Sequence, residues 1–215
     1  TPDKVFFNTV TPYVLGQELR DNFPEIASLA RYLTINAQIK KGNFSERENV
    51  HVVEPSFLKM FDFPLLQGHA DRALTDLHSV VITPAMAEKY FGEPNPLGKT
   101  LTLQIADQWL DFTVTGLIQK APENSSIQYD LLIPFELTKT FVSEGGRTSW
   151  TNVNVETYVM LQKGDQASDF AAKIAPFIDG KVAGDYAAGK YVVGLQPLTD
   201  IHLNKDFPEG IVKVS

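Results

Sequence analysis

Leu33-Thr34-Ile35-Asn36-Ala37-Gln38-Ile39 is the stretch that decides the fold, because apolar and polar side chains alternate along it. Alternation with a period of two predicts a β-strand with one buried side and one solvent-facing side. This strand begins near Leu29, and after a turn at Lys41-Gly42-Asn43 a second strand is predicted to run to about Val53. A sheet with one wet face is typical of antiparallel or mixed pairing, so we do not expect an all-parallel sheet.

The elements on either side of these strands repeat one order, a helix followed by a strand. Thr11-Pro12 supplies an N-cap and a first helical residue, and Pro24 ends that helix. Farther along, the alternating strand 153–161 leads into a second amphipathic helix, in which Pro176 predicts a kink or an early end. A last strand is predicted to start with Tyr191, Val193 and Leu195 and to end near Pro197.

This repeated order predicts an α+β fold. We assign a split β-α-β unit to residues 1–78 plus 151–215, interrupted by a smaller, mostly β insert at 79–150. In the first part of the split unit, the three phenylalanines of segment 57–63 predict a packed aromatic corner.

The predicted insert has its own signals for the start and end of a helix and for turns. Thr83-Pro84 opens a short helix, and Gly92 closes it. A β-hairpin with its turn near Asp107 follows, and Gly145-Gly146 predicts a loop before the chain leaves the insert.

Composition excludes several classes of function. The 215 residues include 19 basic and 26 acidic side chains, a net charge of −7 that disfavours a nucleic-acid partner. Cysteine is absent, which removes disulfides, thiolate catalysis and thiolate metal ligands. No apolar run is long enough to span a membrane. The sequence opens on Thr1 without an initiator Met, so we expect an excised piece whose flanks carry any membrane segments.

One segment imitates a phosphate-binding loop. Gly92-Glu93-Pro94-Asn95-Pro96-Leu97-Gly98-Lys99-Thr100 has five residues between its glycines, whereas the motif requires four. It follows a helix and enters a strand, the reverse of the order that presents a helix N-terminus to phosphate. Pro94 and Pro96 also lack the backbone N–H that would cradle an anion. We therefore interpret the segment as a structural turn that binds no nucleotide.

The histidines form no recognisable site. None of His51, His69, His78 and His202 has a histidine partner at the helical i, i+4 spacing of a metal site. Asp200 and His202 could form an acid–base pair, but no Gly-x-Ser-x-Gly nucleophile elbow accompanies them. We predict no catalytic, cofactor-binding or metal-binding residue and no cofactor, and hence no enzyme.

Two further groups of side chains receive structural interpretations. Glu46, Glu48 and Glu54 lie on or beside one strand and are expected to face solvent. Trp109 and Trp150 are expected in the core, where large aromatic side chains most often lie.

Four stretches together resemble the MacB-like periplasmic core domain of ABC-transporter permeases, of the FtsX-like and MacB type. The resemblance rests on their order and spacing and covers residues 11–203. The stretches are Phe61-Asp62-Phe63-Pro64-Leu65-Leu66-Gln67-Gly68; Val80 to Gly92 with Pro96-Leu97-Gly98-Lys99; Phe112-Thr113-Val114-Thr115-Gly116-Leu117 with Pro122, Asn124-Ser125-Ser126 and Asp130; and Pro197-Leu198-Thr199-Asp200-Ile201-His202-Leu203.

The resemblance implies an architecture and a cellular place. The split unit would be a porter-like subdomain and the insert a Sabre-like subdomain, in the periplasm and attached to the inner membrane of a bacterium. The first strand of the porter-like unit would be mostly missing, because the sequence begins just before the first helix.

It also implies partners and a role. A cytoplasmic ABC ATPase would act through missing transmembrane helices, and a second permease copy and a periplasmic protein are further expected partners. ATP hydrolysis in the ATPase would drive a movement that this domain transmits for efflux or for export of a lipoprotein or another substrate. The family has no catalytic residue in this domain.

Two rival classes stay open from the residues alone. One is a periplasmic module that senses a ligand or binds a partner for a membrane protein. The other is a hydrolytic enzyme, which the failed motifs disfavour. For the mechanical role, hinges are expected near His69–His78 and Ser143–Ser149, which are polar and contain few bulky residues.

Overall fold

The computed structural model describes residues 9–187 and 190–198. Its strands and helices follow one another along these residues, with a single 3-10 helix at Phe135–Thr140. The strands are β1 (Thr11–Pro12), β2 (Ile26–Lys41), β3 (Phe44–Val53), β4 (Leu65–Gly68), β5 (Ser79–Ile82), β6 (Thr100–Ile105), β7 (Gln108–Ile118), β8 (Leu131–Pro134) and β9 (Val153–Leu161). The helices are α1 (Tyr13–Asn22), α2 (Phe57–Met60), α3 (Pro84–Phe91), α4 (Glu144–Thr148) and α5 (Ala167–Val182).

Six strands close into a ring that we call the barrel. The hydrogen-bonded order is β2-β3-β8-β5-β7-β6, and β6 pairs back with β2 at Gln38↔Gln104 and Ile39↔Leu103. The pairs β3–β8 and β5–β7 are parallel and the others are antiparallel, so the sheet is mixed, as the alternation in β2 predicts. A cluster of buried aliphatic side chains fills the ring, including Ile39, Val50 and Leu103, each 0% exposed.

The first part of β2 belongs to a second layer that we call the α/β unit. There β9 pairs with residues Ile26–Tyr32 of β2, and the short β1 pairs with the other edge of β9. Helices α1 and α5 cover this layer, and their apolar faces form a separate core cluster. The fully buried members of that cluster are Leu15, Leu19, Leu29, Phe170, Ile174, Ile178 and Val182.

A third core cluster lies on the opposite side of the sheet from the barrel interior. Phe57, Phe61 and Phe63 meet there with ring centroids 5.0 to 5.7 Å apart. They pack beside Val53 and Leu132 under the loop 119–130. The aromatic corner predicted from the sequence is therefore confirmed.

The division into 1–78 plus 151–215 and 79–150 stays a prediction. Hydrogen bonding continues across the boundary at residue 79, because β6 pairs with β2 and β8 pairs with β3. The predicted class, α+β, agrees with the observed elements, among which the sheet is dominant.

Most predicted elements are observed, with a shift at the first helix. The N-cap of α1 is Pro12, one residue later than predicted. Thr11 lies instead in β1, where its Oγ1 donates to the carbonyl of Val155 at 2.8 Å. The short helix α3 begins after Thr83 and ends at Gly92, which has a φ of 67°. The left-handed end predicted at Gly92 is confirmed.

Two local predictions are wrong, and so is one of the two alternatives at Pro176. Helix α5 does not end early at Pro176 but continues to Val182, because buried side chains on both sides of the proline hold it to the sheet, and the kink stays a prediction. Gly145 and Gly146 lie in α4, where Ser143 Oγ caps the N–H of Gly146 at 3.1 Å. The segment 191–195 forms no strand, and its alternate apolar side chains pack on the α/β unit without a strand partner.

Candidate functional site

The structure describes three of the four histidines considered as candidate site residues, His51, His69 and His78. His51 is buried within the sheet, and the His78 ring packs edge-on to Phe112 with centroids 5.6 Å apart. Asp200 and His202 fall outside the described residues. Within the part that the structure describes, no group of three or more His, Cys, Asp or Glu side chains could hold a metal ion.

The segment 92–100 is a turn bonded to the neighbouring strand. The N–H of Gly98 donates to the carbonyl of Val114, and the N–H of Val114 donates to the carbonyl of Lys99, both at 2.8 Å. The Lys99 ammonium forms an ion pair with Glu93. Backbone donors and the lysine therefore have partners inside the protein, which supports the interpretation as a structural turn.

The expectation that Glu54 faces solvent is wrong. Glu54 is 9% exposed, and its Oε1 accepts hydrogen bonds from Arg31 Nε at 2.7 Å and Nη2 at 2.6 Å. Arg20 Nη2 approaches the same oxygen at 3.6 Å. The periodicity places Glu54 at the end of β3, but only tertiary packing brings the two arginines to it.

The Arg31 side chain is clamped on every side. Its guanidinium carbon lies 4.0 Å from the ring centroid of Phe135 and 4.9 Å from that of Tyr13. Nη1 donates to the carbonyl of Tyr13 at 3.3 Å, and the Tyr13 hydroxyl is 2.7 Å from Thr138 Oγ1. A Cβ on Gly16 would lie 2.7 Å from Arg31 Cδ, so glycine is what lets α1 rest on this side chain.

These contacts stand where β2 passes from the α/β unit into the barrel. Arg31 pairs with Thr157 of β9, whereas the next residue, Tyr32, pairs with both Glu156 of β9 and Val53 of β3. We name Arg31, Glu54, Tyr13 and Phe135 the junction. It ties α1, β2, the end of β3 and the 3-10 helix together through buried charge and aromatic contact. Sequence reasoning missed it because its members are far apart along the chain.

A cleft of about 340 Å³ opens beside the junction. Its walls include Arg20, Ser28, Glu54 and Ser56. Ser56 Oγ donates to the carbonyl of Leu29 at 2.6 Å, which fixes the wall formed by the loop after β3.

Glu46 and Glu48 are also partnered rather than free. Lys89 Nζ lies 2.7 Å from Glu46 Oε2 and 2.5 Å from Glu48 Oε1. The hydroxyl of Tyr90 donates to Glu48 Oε1 at 2.7 Å. Hydrogen bonding and charge from Lys89 lower the pKa of Glu46, while burial and Glu48 raise the pKa of Tyr90. This group anchors α3 to the β2–β3 hairpin.

A buried polar group surrounds His51. Its Nδ1 is 2.5 Å from the Tyr32 hydroxyl and 3.1 Å from Thr34 Oγ1, and the Tyr32 hydroxyl donates to the carbonyl of Gln128 at 2.8 Å. Burial lowers the pKa of His51 to about 4, against the opposing charge of Asp130. His51 is therefore neutral at pH 7, and it contacts the Tyr32 hydroxyl that binds the carbonyl of Gln128 in the loop 119–130.

The carboxyl group of Glu156 and the phenol of Tyr158, both on β9, lie next to this cluster. The Tyr158 hydroxyl donates to Glu156 Oε2 at 2.5 Å. Burial raises the pKa of Glu156 and, together with the Glu156 charge, raises the pKa of Tyr158. A phenol with a raised pKa stays protonated, so Tyr158 serves as a hydrogen-bond donor.

The two tryptophans differ in position. Trp150 packs against the α/β core near Phe177, as predicted. Trp109 is 42% exposed on β7, so the prediction of a core position is wrong there. Its side chain follows the polar side of the strand alternation, whereas Phe112 follows the apolar side.

Comparison with known proteins identifies relatives of this fold. The family model described as the MacB-like periplasmic core domain matches residues 3–177. No curated protein sequence matches the chain. No helix among the described residues combines the length and apolarity needed to cross a membrane.

Three solved structures share the fold. A domain described as a permease protein's, from Porphyromonas gingivalis, has a TM-score of 0.66 at 23% identity, covering 80% of this chain and 78% of its own. The periplasmic region of MacB from Actinobacillus actinomycetemcomitans has a TM-score of 0.58 at 15% sequence identity. The match covers 80% of this chain and 74% of the MacB chain. The extracellular domain of the noncanonic ABC-type transporter YknZ from Gram-positive bacteria has a TM-score of 0.55 at 18% sequence identity. The match covers 78% of this chain and 82% of the YknZ chain.

Proposed function

This chain belongs to the MacB-like periplasmic core domain family, the non-catalytic periplasmic domain of ABC-transporter permeases, and from that premise we propose that it transmits movement. The movement originates in ATP hydrolysis by a cytoplasmic ATPase and reaches the periplasm through the membrane part of the permease. Its outcome is efflux, or export of a lipoprotein or another substrate. A second permease copy and a periplasmic protein complete the proposed assembly at the inner membrane.

The junction is the observation that carries this proposal. A transmitting domain needs parts that are stiff inside and a defined link between them. The barrel and the α/β unit each have their own core cluster, and they share β2. Arg31 and Glu54 lie where the pairing of β2 changes, with contacts to α1 on one side and to the 3-10 helix on the other. We infer that the junction is the pivot about which the α/β unit and the barrel move relative to each other.

The two predicted hinges connect different pairs of elements. Ser143–Ser149 contains α4 and connects the barrel to β9, which suits a crossing between the two parts. His69–His78 connects β4 to β5, and both of these strands pair with β7. We therefore propose the first as the flexible crossing.

The proposal is tested in the full permease assembled with its ATPase. Spin labels on cysteines at Ala85 of α3 and Ala175 of α5 report the distance between the two parts, and the absence of native cysteine keeps labelling specific. We expect this distance distribution to differ between the nucleotide-free and ATP-bound states. A control pair at Ala85 and Thr113 lies within the barrel and is expected to stay constant. Equal distributions for Ala85–Ala175 in both states would overturn the proposal.

A further inference from the structure

The outer side of the barrel carries a row of aligned polar side chains that the mechanical role does not use. Arg47 lies opposite Gln38, Gln38 opposite Gln104, and Gln104 opposite Trp109. These four positions run straight across β3, β2, β6 and β7. With neighbouring strands about 4.8 Å apart, three steps make a row of roughly 14 Å.

Strand alternation places this row outside the barrel. Ile39 and Leu103, the neighbours of Gln38 and Gln104, point into the core and are fully buried. Asn36 precedes Gln38 on the same face. We name Asn36, Gln38, Arg47, Gln104 and Trp109 the amide face.

A groove of about 260 Å³ lies along the amide face. It is lined by Asn36, Gln38, Arg47 and Gln104, together with Ala37, Ala106 and Asp107. Ala106 and Asp107 form the β6–β7 turn with φ of 47° and 67°, a left-handed conformation that is strained for alanine. The turn therefore contributes to the lining of the groove, and Trp109 follows it on β7.

The side chains of the groove are available to a ligand. Within residues 9–187 and 190–198, the side chains of Asn36, Arg47 and Gln104 make no hydrogen bond or ion pair with other parts of the protein. Only Gln38 is engaged, accepting from Ser45 Oγ at 3.1 Å. The Trp109 ring is held by Lys40, whose Nζ lies 4.9 Å from the ring centroid, and still exposes 42% of the residue.

We propose that the amide face binds an oligosaccharide. Side-chain amides donate and accept at once, which matches hydroxyl and acetamido groups along a sugar chain. An exposed indole offers a flat apolar surface to the C–H side of a pyranose ring. Arg47 at the far end of the row would receive a carboxylate or a hydroxyl oxygen of the same chain.

The composition of the face favours a saccharide over a protein partner. Protein interfaces have an apolar, well-packed centre, whereas the amide face has one aromatic ring, three amides and one guanidinium. One class of small barrel, the OB-fold, binds oligonucleotides and oligosaccharides on a face of its sheet. The net charge of −7 disfavours a nucleic acid here, which leaves the saccharide. The inference is independent of the transmitted movement and places a ligand on the outer side of the barrel.

The test uses the two tryptophan indole N–H signals of the ¹⁵N-labelled 215-residue chain, which contains only these two tryptophans. Chitotetraose serves as the neutral probe and tetragalacturonate as the acidic probe. We expect the Trp109 signal to shift in a saturable manner with at least one probe, while the Trp150 signal stays in place. Trp109→Phe assigns the signals and keeps an aromatic ring at the site.

Two variants measure the contribution of the row. Gln104→Ala and Arg47→Ala should each weaken binding by about tenfold, the effect of removing one hydrogen-bonding side chain. The matched control is Phe44→Ala, because Phe44 is 66% exposed on β3 but faces the other side of the strand from Arg47. Its affinity should equal that of the unchanged chain.

Several results would overturn the proposal. They are an unmoved Trp109 signal with both probes, equal shifts of Trp109 and Trp150, or full affinity in folded Gln104→Ala and Arg47→Ala. A protein partner that shifts Trp109 while neither saccharide does so would also overturn it, and would assign the face to protein contact.

Discussion

Replacing Glu54 with glutamine tests whether the junction holds the two parts of the protein together. The substitution removes the charge that pairs with Arg31, while the Arg31 side chain stays buried, with only 10% of it exposed. Removing one member of a buried pair leaves an uncompensated charge and typically costs about 3–5 kcal/mol. The amide oxygen of glutamine can still accept one hydrogen bond, so we expect the lower end, about 3 kcal/mol. At about 2–4 °C per kcal/mol, the midpoint of thermal unfolding should fall by roughly 6–12 °C.

The effect of Arg31 completes the measurement. Arg31→Met keeps the volume between the Tyr13 and Phe135 rings, and Arg20, already 3.6 Å from Glu54, can move closer to the carboxylate. We therefore expect Arg31→Met to cost less than Glu54→Gln, and the double variant to cost less than the sum of the two. Urea unfolding of all four proteins gives this double-mutant cycle.

A surface pair provides the control. Lys59 and Asp71 form an ion pair with side chains 62% and 71% exposed, so Lys59→Ala should leave the free energy of unfolding nearly unchanged. If Glu54→Gln lowers the unfolding free energy no more than Lys59→Ala does, the Arg31–Glu54 pair is not a structural link and the argument for the junction fails.

Three further features of the fold can be tested with single substitutions. Gly16→Ala should lower the free energy of unfolding by about 1–3 kcal/mol, because its Cβ would fall 2.7 Å from the clamped Arg31 Cδ. The control Gly180→Ala in α5 has open space around it and should be neutral or stabilising. Equal urea midpoints for the two variants would contradict this reasoning. Gly92→Val should cost about 1 kcal/mol or more because φ is 67°, and an unchanged melting temperature would count against that reason. The pKa of His51 falls from 6.5 to about 4 on folding, so the unfolded chain binds more protons and stability drops as the pH falls through this window, by up to about 3 kcal/mol. Unfolding free energies measured from pH 7 to 4 should decline more steeply than those of His51→Gln, and parallel curves would show that His51 does not titrate as the structure implies.

Local patterns carried most of the fold prediction. The alternation in β2, the Thr83-Pro84 helix start and the Gly92 helix end depend on neighbouring residues, and all three are observed. The family resemblance is confirmed over residues 3–177. The closure of the barrel by pairing of β6 with β2 could not be predicted from the sequence, because strand partners far apart in sequence leave no periodic signal.

At Pro176 and at Glu54, tertiary packing overrides a local preference. Pro176 breaks a helix in isolation, but Ile174 and Ile178 on either side are buried against the α/β core. Glu54 has the polarity of a surface residue, yet it meets a guanidinium clamped between two rings. Trp109 has the size of a core residue, but strand alternation turns it outward. In the site, residue types were visible in the sequence and their partners were not.

The sharing of β2 has a consequence for how the chain denatures and how it is synthesised. A strand of 16 residues that completes two cores leaves neither core able to melt alone, so unfolding should be one cooperative event. During synthesis, β3 follows β2 within a few residues, but β9 emerges only after the whole barrel has been made. Until then Ile26–Tyr32 is an open strand edge beside apolar side chains, the kind of surface at which chains pair with one another. The nascent chain is therefore most exposed to aggregation in the interval between the completion of β8 and the arrival of β9.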